Sequence, residues 1–212
     1  MRKAIIGIFT IFPLVAQAEV VIVALGDSLT QGYGLPAEEG FVPQLQEWLA
    51  AQGADARLIN AGVSGDTTAG GLARASWTLT SEVDAMILTL GGNDLLRGLD
   101  PVQARANIEG ILKVAKVAEV EVLLIGLQAP GNFGADYKTA FDALYPELAA
   151  EYGTIYLPNF FAGLSEDGAA SNPAGLRRWF QLDGIHPNAA GVARIIEGVG
   201  PSVLTLIETT QD

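Results

Sequence analysis

Short apolar runs alternate with helical patterns along almost the whole chain, and this alternation restricts the fold more than any other feature. Five runs have the compact, partly β-branched composition of strands that are covered on both faces in a parallel sheet. They are residues 20–25, 57–60, 85–90, 122–127 and 154–157. A sheet of parallel strands needs a crossover between each pair, so the segments between the runs should be helical.

Those intervening segments do repeat apolar residues at helical spacing. They include residues 41–52, 101–118, 136–152 and 189–209. Pro101 suits the first turn of its helix, whereas Pro146 predicts a bend or a restart within the third segment. Gly198, Gly200 and Pro201 predict an interruption of the last one. The order of strands and helices predicts an α/β fold, a three-layer α/β/α domain with a mostly parallel sheet of about five strands.

The amino-terminal segment has the pattern of an export signal. Arg2 and Lys3 precede a short apolar stretch, and the segment ends in Ala16-Gln17-Ala18, a small-x-small cleavage pattern. An uncleaved membrane anchor is the alternative, but the apolar part of about a dozen residues is shorter than the ~20 that span a bilayer. We therefore predict a signal peptide at residues 1–18, a single domain at 19–212, and a periplasmic or secreted protein. No other stretch is expected to span a membrane.

Composition excludes several classes of function. The formal net charge of −12 becomes −14 when the two basic residues of the segment 1–18 are removed, so we expect neither nucleic acid nor an anionic membrane as a partner. The chain contains no cysteine, which rules out thiolate metal sites and cysteine nucleophiles. One histidine supplies too few nitrogen ligands for a zinc hydrolase. We expect no metal and no organic cofactor.

The single histidine, His186 in "QLDGIHPN", is the strongest constraint on the chemistry. If an imidazole activates a nucleophile in this chain, it must be this one. Asp183 lies three residues earlier, which within a tight turn lets its carboxylate accept a hydrogen bond from the ring. A lone surface histidine beside turn residues is the alternative.

Three loops that follow predicted strands carry further candidates. Ser28 follows the first strand, where it is either a nucleophile or a helix cap. Gly65 and Asn93 follow the next two strands, and an acyl-transfer site could use the Gly65 N–H and the Asn93 amide as oxyanion donors. Each also fits an ordinary turn. We interpret Asp27, Asp66 and Asp94, which lie in the same loops, as caps and loop ties; the first of these adjoins Ser28.

Four blocks of the sequence, "GDSLTQGYG", "NAGVSGDTT", "LGGNDLLRG" and "DGIHPN", resemble in order and spacing the four blocks of the SGNH (GDSL) hydrolases. The likeness extends over essentially the whole of residues 19–212, and it is strongest to the bacterial periplasmic branch with thioesterase, lysophospholipase and arylesterase activity. It implies a flavodoxin-like fold. It also implies that Ser28 is the nucleophile, that His186 is the general base and acid oriented by Asp183, and that Ser28, Gly65 and Asn93 form an oxyanion hole.

The predicted function is therefore hydrolysis of carboxylic esters and thioesters, with lysophospholipids among the candidate substrates, by an exported monomer. An α/β-hydrolase would carry G-x-S-x-G, and a dinucleotide site G-x-G-x-x-G; the loop around Ser28 has neither. A carbohydrate acetylesterase and a non-catalytic exported protein that binds lipids or sugars remain open. Apolar residues near the motifs could line an acyl groove, although we assign them to the core. They are Leu29, Leu95, Leu96, Phe133, Trp179 and Phe180.

Overall fold

A parallel sheet of five strands forms the centre of the molecule in a computed structural model, which describes residues 19–164 and 176–211. The strands are β1 (Val20–Gly26), β2 (Ala56–Gly62), β3 (Ala85–Thr89), β4 (Glu121–Ile125) and β5 (Ile155–Leu157). Their order across the sheet is β2-β1-β3-β4-β5, and every neighbouring pair is parallel. The predicted signal peptide, residues 1–18, lies outside the described residues.

Seven α-helices that lie wholly within the described residues connect and cover the strands. They are α1 (Ser28–Gln31), α2 (Phe41–Ala51), α3 (Thr68–Thr78), α4 (Gly92–Arg97), α5 (Pro101–Val117), α6 (Ala135–Tyr152) and α7 (Ala189–Thr209). Helices α3, α5 and α6 pack against one another in sequence, and α2 packs against α7, which also contacts β3, β4 and β5. The predicted three-layer α/β/α domain is confirmed, because apolar strands with helices on both faces can exclude water from both surfaces of the sheet.

The two central strands are buried along their whole length. All seven residues of β1 and all five of β3 are buried, which explains why their sequences are continuously apolar and do not alternate. Ala24 pairs with Asn60 on one side and with Ile87 on the other. The fully buried β1 therefore leads directly to Ser28, two residues after its end.

The prediction of a buried strand at 57–60 was wrong in two respects. Strand β2 extends over Ala56–Gly62, and most of its residues are half-buried or exposed because it lies at the edge of the sheet. Arg57 and Asn60 face solvent there. An edge strand is covered less completely than a central one, so its sequence can include charged and amide side chains.

The predicted interruption of the last helix was wrong, and so was the restart that we considered at Pro146. Helix α6 continues through Pro146, and α7 continues through Gly198, Gly200 and Pro201. A Cβ on Gly200 would lie 2.6 Å from the Trp48 ring, so this glycine lets α7 pack closely on α2. Buried apolar side chains on both helices offset the lower helix propensity of these residues.

Helix α7 also corrects the expectation that no further stretch could span a membrane. Its 21 residues are long and apolar enough to cross a bilayer by length and composition. Half of its most apolar stretch is nevertheless buried inside the molecule, where Val192, Ile195 and Val199 belong to the core. We therefore interpret α7 as a core helix, because its apolar face already has a protein partner.

The strand order places a crevice at the carboxyl ends of β1 and β3. The chain leaves β1 towards β2 on one side and later returns to β3 on the other, and ligands of open α/β sheets bind where the order reverses in this way. Ser28 follows β1 and Asn93 follows β3. The candidate residues of the sequence analysis therefore lie at the position that the fold favours for a ligand.

Candidate active site

Ser28 is the first residue of α1, and its side chain is not the cap of that helix. Asp27 is the cap, since its Oδ1 accepts a hydrogen bond of 3.0 Å from the Leu29 N–H. The Ser28 hydroxyl instead lies 2.9 Å from Nε2 of His186. Because Asp27 caps the helix, the Ser28 hydroxyl is available to contact His186, which lies 158 residues later in the sequence.

His186 lies between Ser28 and Asp183. Its Nδ1 is 2.7 Å from Oδ2 of Asp183, and Oδ1 of the same carboxylate accepts hydrogen bonds from the backbone N–H groups of Ile185 and His186. The hydrogen bond from His186 and then the two backbone N–H groups lower the pKa of Asp183 to about 2. An ionised carboxylate only accepts hydrogen bonds, so Nδ1 carries a proton and Nε2 can accept the serine proton.

The loop that carries His186 is held together by its own main chain. Phe180 and Pro187 form an isolated antiparallel bridge, and the Gln181 N–H donates to the His186 carbonyl over 2.8 Å. Asn188 caps α7 and also donates from its side-chain amide to the Arg178 carbonyl. These contacts close the segment into a compact loop with Asp183 and Gly184 at its turn.

Two side chains of α4, Asn93 and Arg97, tie this helix to the loop that contains Gly65. Asn93 Nδ2 donates to the Asp66 carbonyl over 2.9 Å, and Arg97 Nη2 donates to the Gly65 carbonyl over 2.9 Å. Gly65 has φ = 84°, a left-handed conformation that L side chains rarely adopt. The two hydrogen bonds restrain the carbonyl groups of Gly65 and Asp66 in this exposed loop.

Arg74 of α3 anchors the same loop to the sheet. Its guanidinium donates to the Asp66 carboxylate at 2.7 Å, to the Ala61 carbonyl at 2.7 Å and to the Gly26 carbonyl at 2.8 Å. One side chain thus connects the ends of β1 and β2 with the loop that follows β2. Arg74 was not predicted from the sequence, because an arginine within a helix carries no motif of its own.

The interpretation of three aspartates as structural ties agrees with their contacts. Asp66 binds Arg74, Asp27 caps α1, and the buried Asp94 accepts hydrogen bonds from both the N–H and the hydroxyl of Thr68. Burial raises the pKa of Asp27 to about 6, and the hydrogen bond from the Leu29 N–H opposes that effect. Oδ2 of Asp27 lies 3.4 Å from Asn93 Nδ2, which is a long contact.

A cavity of about 490 Å³ opens beside Ser28. Ser28 and Asn93 both line it, whereas Gly65 is not among the lining residues and is linked to Asn93 through Asp66. Its wall is mainly apolar, and it also includes the amide side chains of Gln128, Asn132 and Asn159. A cleft of this size and character is suited to a small organic ligand.

Four of the six apolar residues that we assigned to the core contribute to the cavity wall. They are Leu29, Leu95, Leu96 and Phe180, while Phe133 and Trp179 do not line it. Leu127, Phe161 and Ile185 also contribute to the apolar wall and were not singled out from the sequence. Each lies next to a loop that enters the crevice, and this position is visible only once the strand order is known.

Within 19–164 and 176–211, no group of three or more His, Cys, Asp and Glu side chains is arranged to hold a metal ion. Ser28, His186 and Asp183 thus form a linear series of contacts at the carboxyl edge of an α/β sheet. A hydroxyl, an imidazole and a carboxylate in this order, at this edge of an α/β sheet, are the arrangement that serine-type hydrolases use.

The chain belongs to the GDSL-like lipase/acylhydrolase family, whose model matches residues 24–194. It is therefore an ester hydrolase, and both the resemblance noted in the sequence and the predicted enzyme class are confirmed.

Individual relatives support the same assignment. The chain is 39% identical to esterase TesA of Pseudomonas aeruginosa over 193 residues, 91% of each chain. It is 37% identical to thioesterase 1/protease 1/lysophospholipase L1 of Escherichia coli over 175 residues, which cover 82% of this chain and 78% of that protein. A crystal structure of TesA superimposes with a TM-score of 0.77 at 38% identity and covers 88% of this chain and 99% of its own.

Proposed function

We propose that the protein hydrolyses carboxylic esters and thioesters through an acyl-enzyme formed on Ser28. The observation that carries the proposal is the continuous contact from the Ser28 hydroxyl through His186 to the ionised Asp183. His186 removes the hydroxyl proton as Oγ attacks the acyl carbonyl, and it then transfers that proton to the departing alkoxide or thiolate. Water repeats the same cycle on the acyl-enzyme and releases the carboxylic acid.

The negative oxygen of the tetrahedral intermediate is stabilised by three donors in this mechanism. They are the backbone N–H groups of Ser28 and Gly65 and the side-chain amide of Asn93. The tethering of the Gly65 loop by Asn93, Arg97 and Arg74 supports this role, because preorganised donors stabilise developing charge without reorganisation. In other enzymes the loss of one such donor lowers kcat by about 10²–10³.

The substrates that we propose are neutral aryl and alkyl esters, acyl thioesters and lysophospholipids. The apolar cavity beside Ser28 can enclose an acyl chain, and its volume of about 490 Å³ is within the usual range for small ligands. Relatives named for esterase, thioesterase and lysophospholipase activity support the same range of substrates.

We further propose that the mature enzyme begins near Glu19, acts in the periplasm or outside the cell, and functions as a monomer without stable membrane insertion. The basic, apolar and small-residue sections of residues 1–18 support export.

A chain-length series of aryl esters and acyl thioesters tests the proposal when it is measured on wild type and Ser28→Ala. We expect wild-type turnover, and a loss in kcat of at least about 10⁴-fold in the variant, since serine and histidine act as one unit. Equal, slow hydrolysis by both proteins would contradict the mechanism and favour a binding protein. A marked preference for acetylated sugars over longer acyl chains would identify a carbohydrate acetylesterase instead.

A further inference from the structure

His186 lies on a largely exposed loop, yet it must meet Ser28, which follows the first strand at the start of α1. Asp183, Gly184 and Ile185 are exposed, and only the bridge between Phe180 and Pro187 resembles regular structure. The internal contacts of this loop explain its shape. They do not explain what holds it against the loop that contains Ser28.

Gln181 connects the two loops. Its side-chain amide Nε2 donates to the Tyr33 carbonyl over 2.7 Å and to the Pro187 carbonyl over 3.0 Å. Tyr33 is five residues after Ser28, and Pro187 directly follows His186. One amide group therefore joins the main chain beside the serine to the main chain beside the histidine, in addition to the direct contact between Ser28 and His186.

Two further features of the Ser28 loop fit this connection. Gly34 has φ = 76°, and a Cβ at this position would collide with the Gln181 amide, so a residue without a side chain leaves space for it. The Tyr33 ring lies against the His186 ring with 4.5 Å between their centroids. The segment Tyr33–Gly34 thus contacts both Gln181 and His186.

We propose that Gln181 is a positioning residue for the hydrolysis assigned above, and that its side-chain amide fixes the distance and angle between His186 and Ser28. This inference rests on the proposed function, since it gives Gln181 a role only if His186 and Ser28 react together. Gln181 touches neither reacting atom. It acts through the two carbonyl groups that it binds.

The effect on the rate should be large compared with the effect on substrate binding. Proton transfer requires a heavy-atom distance of about 2.6–3.2 Å, and a misplacement of about 1 Å can reduce the rate by about 10²-fold. The cavity that would hold the acyl group is not lined by Gln181. A loss of positioning should therefore lower kcat and leave KM almost unchanged.

Gln46 offers a matched control at the opposite end of the sheet. Its Nε2 donates to the Ala56 carbonyl over 2.7 Å and its Oε1 accepts from the Leu58 N–H over 2.8 Å, so it also joins two elements through its amide. Ala56 begins β2, whereas Ser28 follows the carboxyl end of β1. If such an amide bridge only stabilises the structure, replacement of either glutamine should have the same effect on kcat.

The experiment compares Gln181→Met and Gln46→Met with wild type, because methionine has a similar shape and cannot donate. The measurements are kcat and KM for a short aryl ester, normalised to the sites that react with an aryl phosphonate, together with the thermal midpoint. We expect a decrease in kcat of about 10–10²-fold for Gln181→Met with KM within about twofold, and kcat within about twofold of wild type for Gln46→Met. Gln181→Glu, which keeps the shape but replaces the donor by a carboxylate, should also lose kcat.

Each outcome decides the proposal. Equal kcat values in the three proteins, or equal losses in both methionine variants, would overturn the positioning role of Gln181 and leave the proposed function intact if Ser28→Ala is inactive. Full activity of Ser28→Ala would overturn both. If Gln181→Met does not accumulate as folded protein, the same comparison is made with Gln181→Glu.

Discussion

Asp27 and Ser28 are neighbours in the sequence, but the fold gives their side chains different environments. The Asp27 carboxyl group is only 2% exposed, next to Leu29 and Asn93, whereas the Ser28 hydroxyl faces His186. Burial of a carboxylate is unfavourable, and two hydrogen bonds, one of them long, compensate for it only in part. Asp27 should therefore reduce the stability of the protein at neutral pH.

Replacement of Asp27 by asparagine tests this cost. The pKa of Asp27 is about 6 in the folded protein against an ordinary value of 3.8, so the folded state binds the proton more tightly. The protonated Asp27 carboxyl group makes its full favourable contribution to the free energy of unfolding below pH 4. As the pH rises through about 6, up to about 3 kcal/mol of that contribution is lost. Asp27→Asn keeps an acceptor for the Leu29 N–H and should gain stability relative to wild type over this interval.

Urea denaturation at pH 4, 5, 6 and 7 measures this difference. The free energy of unfolding of the variant minus that of wild type should increase from pH 4 to pH 6 and then level off. Asp100→Asn is the control, because Asp100 caps α5 in the same way but is exposed to water. A difference for Asp27→Asn that is constant with pH would contradict the prediction.

At the scale of elements, the closest packing of α7 depends on glycines, although glycine has a low helix propensity. Gly198 approaches the turn Ala162–Leu164 so closely that a Cβ would lie 2.7 Å from the Gly163 nitrogen and 3.0 Å from its Cα. Gly198 was predicted to interrupt the helix because glycine lowers helix propensity. Its packing partner Gly163, which decides whether a glycine is needed here, lies 35 residues away along the chain, so the local sequence does not reveal it.

Gly198→Ala should therefore destabilise the protein, although alanine is favoured by about 1 kcal/mol in an isolated helix. Overpacking against backbone costs about 1–3 kcal/mol and outweighs the gain in propensity. Gly110→Ala in α5 is the matched control, since its new Cβ would meet the flexible end of Leu72. Urea unfolding should show a clearly larger loss for Gly198→Ala, and an increase in stability of that variant would show that α7 can move away from the turn.

The positions of the strands were predicted well, but the burial of the edge strand β2 was not. The central runs at 20–25 and 85–90 match β1 and β3, because continuous apolar sequence has few alternatives to a buried strand in a chain of alternating elements. Helices α3 and α4 were not singled out, and α1 was anticipated only as a helix that Ser28 could cap. Two of them have only four and six residues, and α3 carries two glycines near its start, so their stability depends on contacts with the rest of the fold.

At the scale of the whole molecule, charge should influence which substrates arrive at the site. The chain has a formal net charge of −12, which repels anionic substrates over a distance set by the ionic strength. We expect kcat/KM for an acyl-CoA thioester to increase with added salt, while kcat/KM for a neutral aryl ester stays constant. The measurement is the ratio of the two kcat/KM values, thioester to aryl ester, at salt concentrations from about 20 to about 200 mM NaCl. Identical salt responses of the two substrates would contradict the prediction.

The reacting groups that we propose were already indicated by the sequence. A chain with one histidine and no cysteine has few ways to activate a nucleophile, and the blocks around Ser28, Gly65, Asn93 and His186 resemble one family. Chemistry of this kind depends on residue type, and residue type is read directly from the sequence.

Only the tertiary structure decided what surrounds those groups. The Gln181 bridge, the Arg74 anchor, the buried state of Asp27 and the apolar wall of the cavity all arise from contacts between segments that are distant in the chain. The environment of a side chain is set by strand order and packing, which local sequence patterns do not specify. The same reason explains why the glycines of α7 were misinterpreted while its helical character was not.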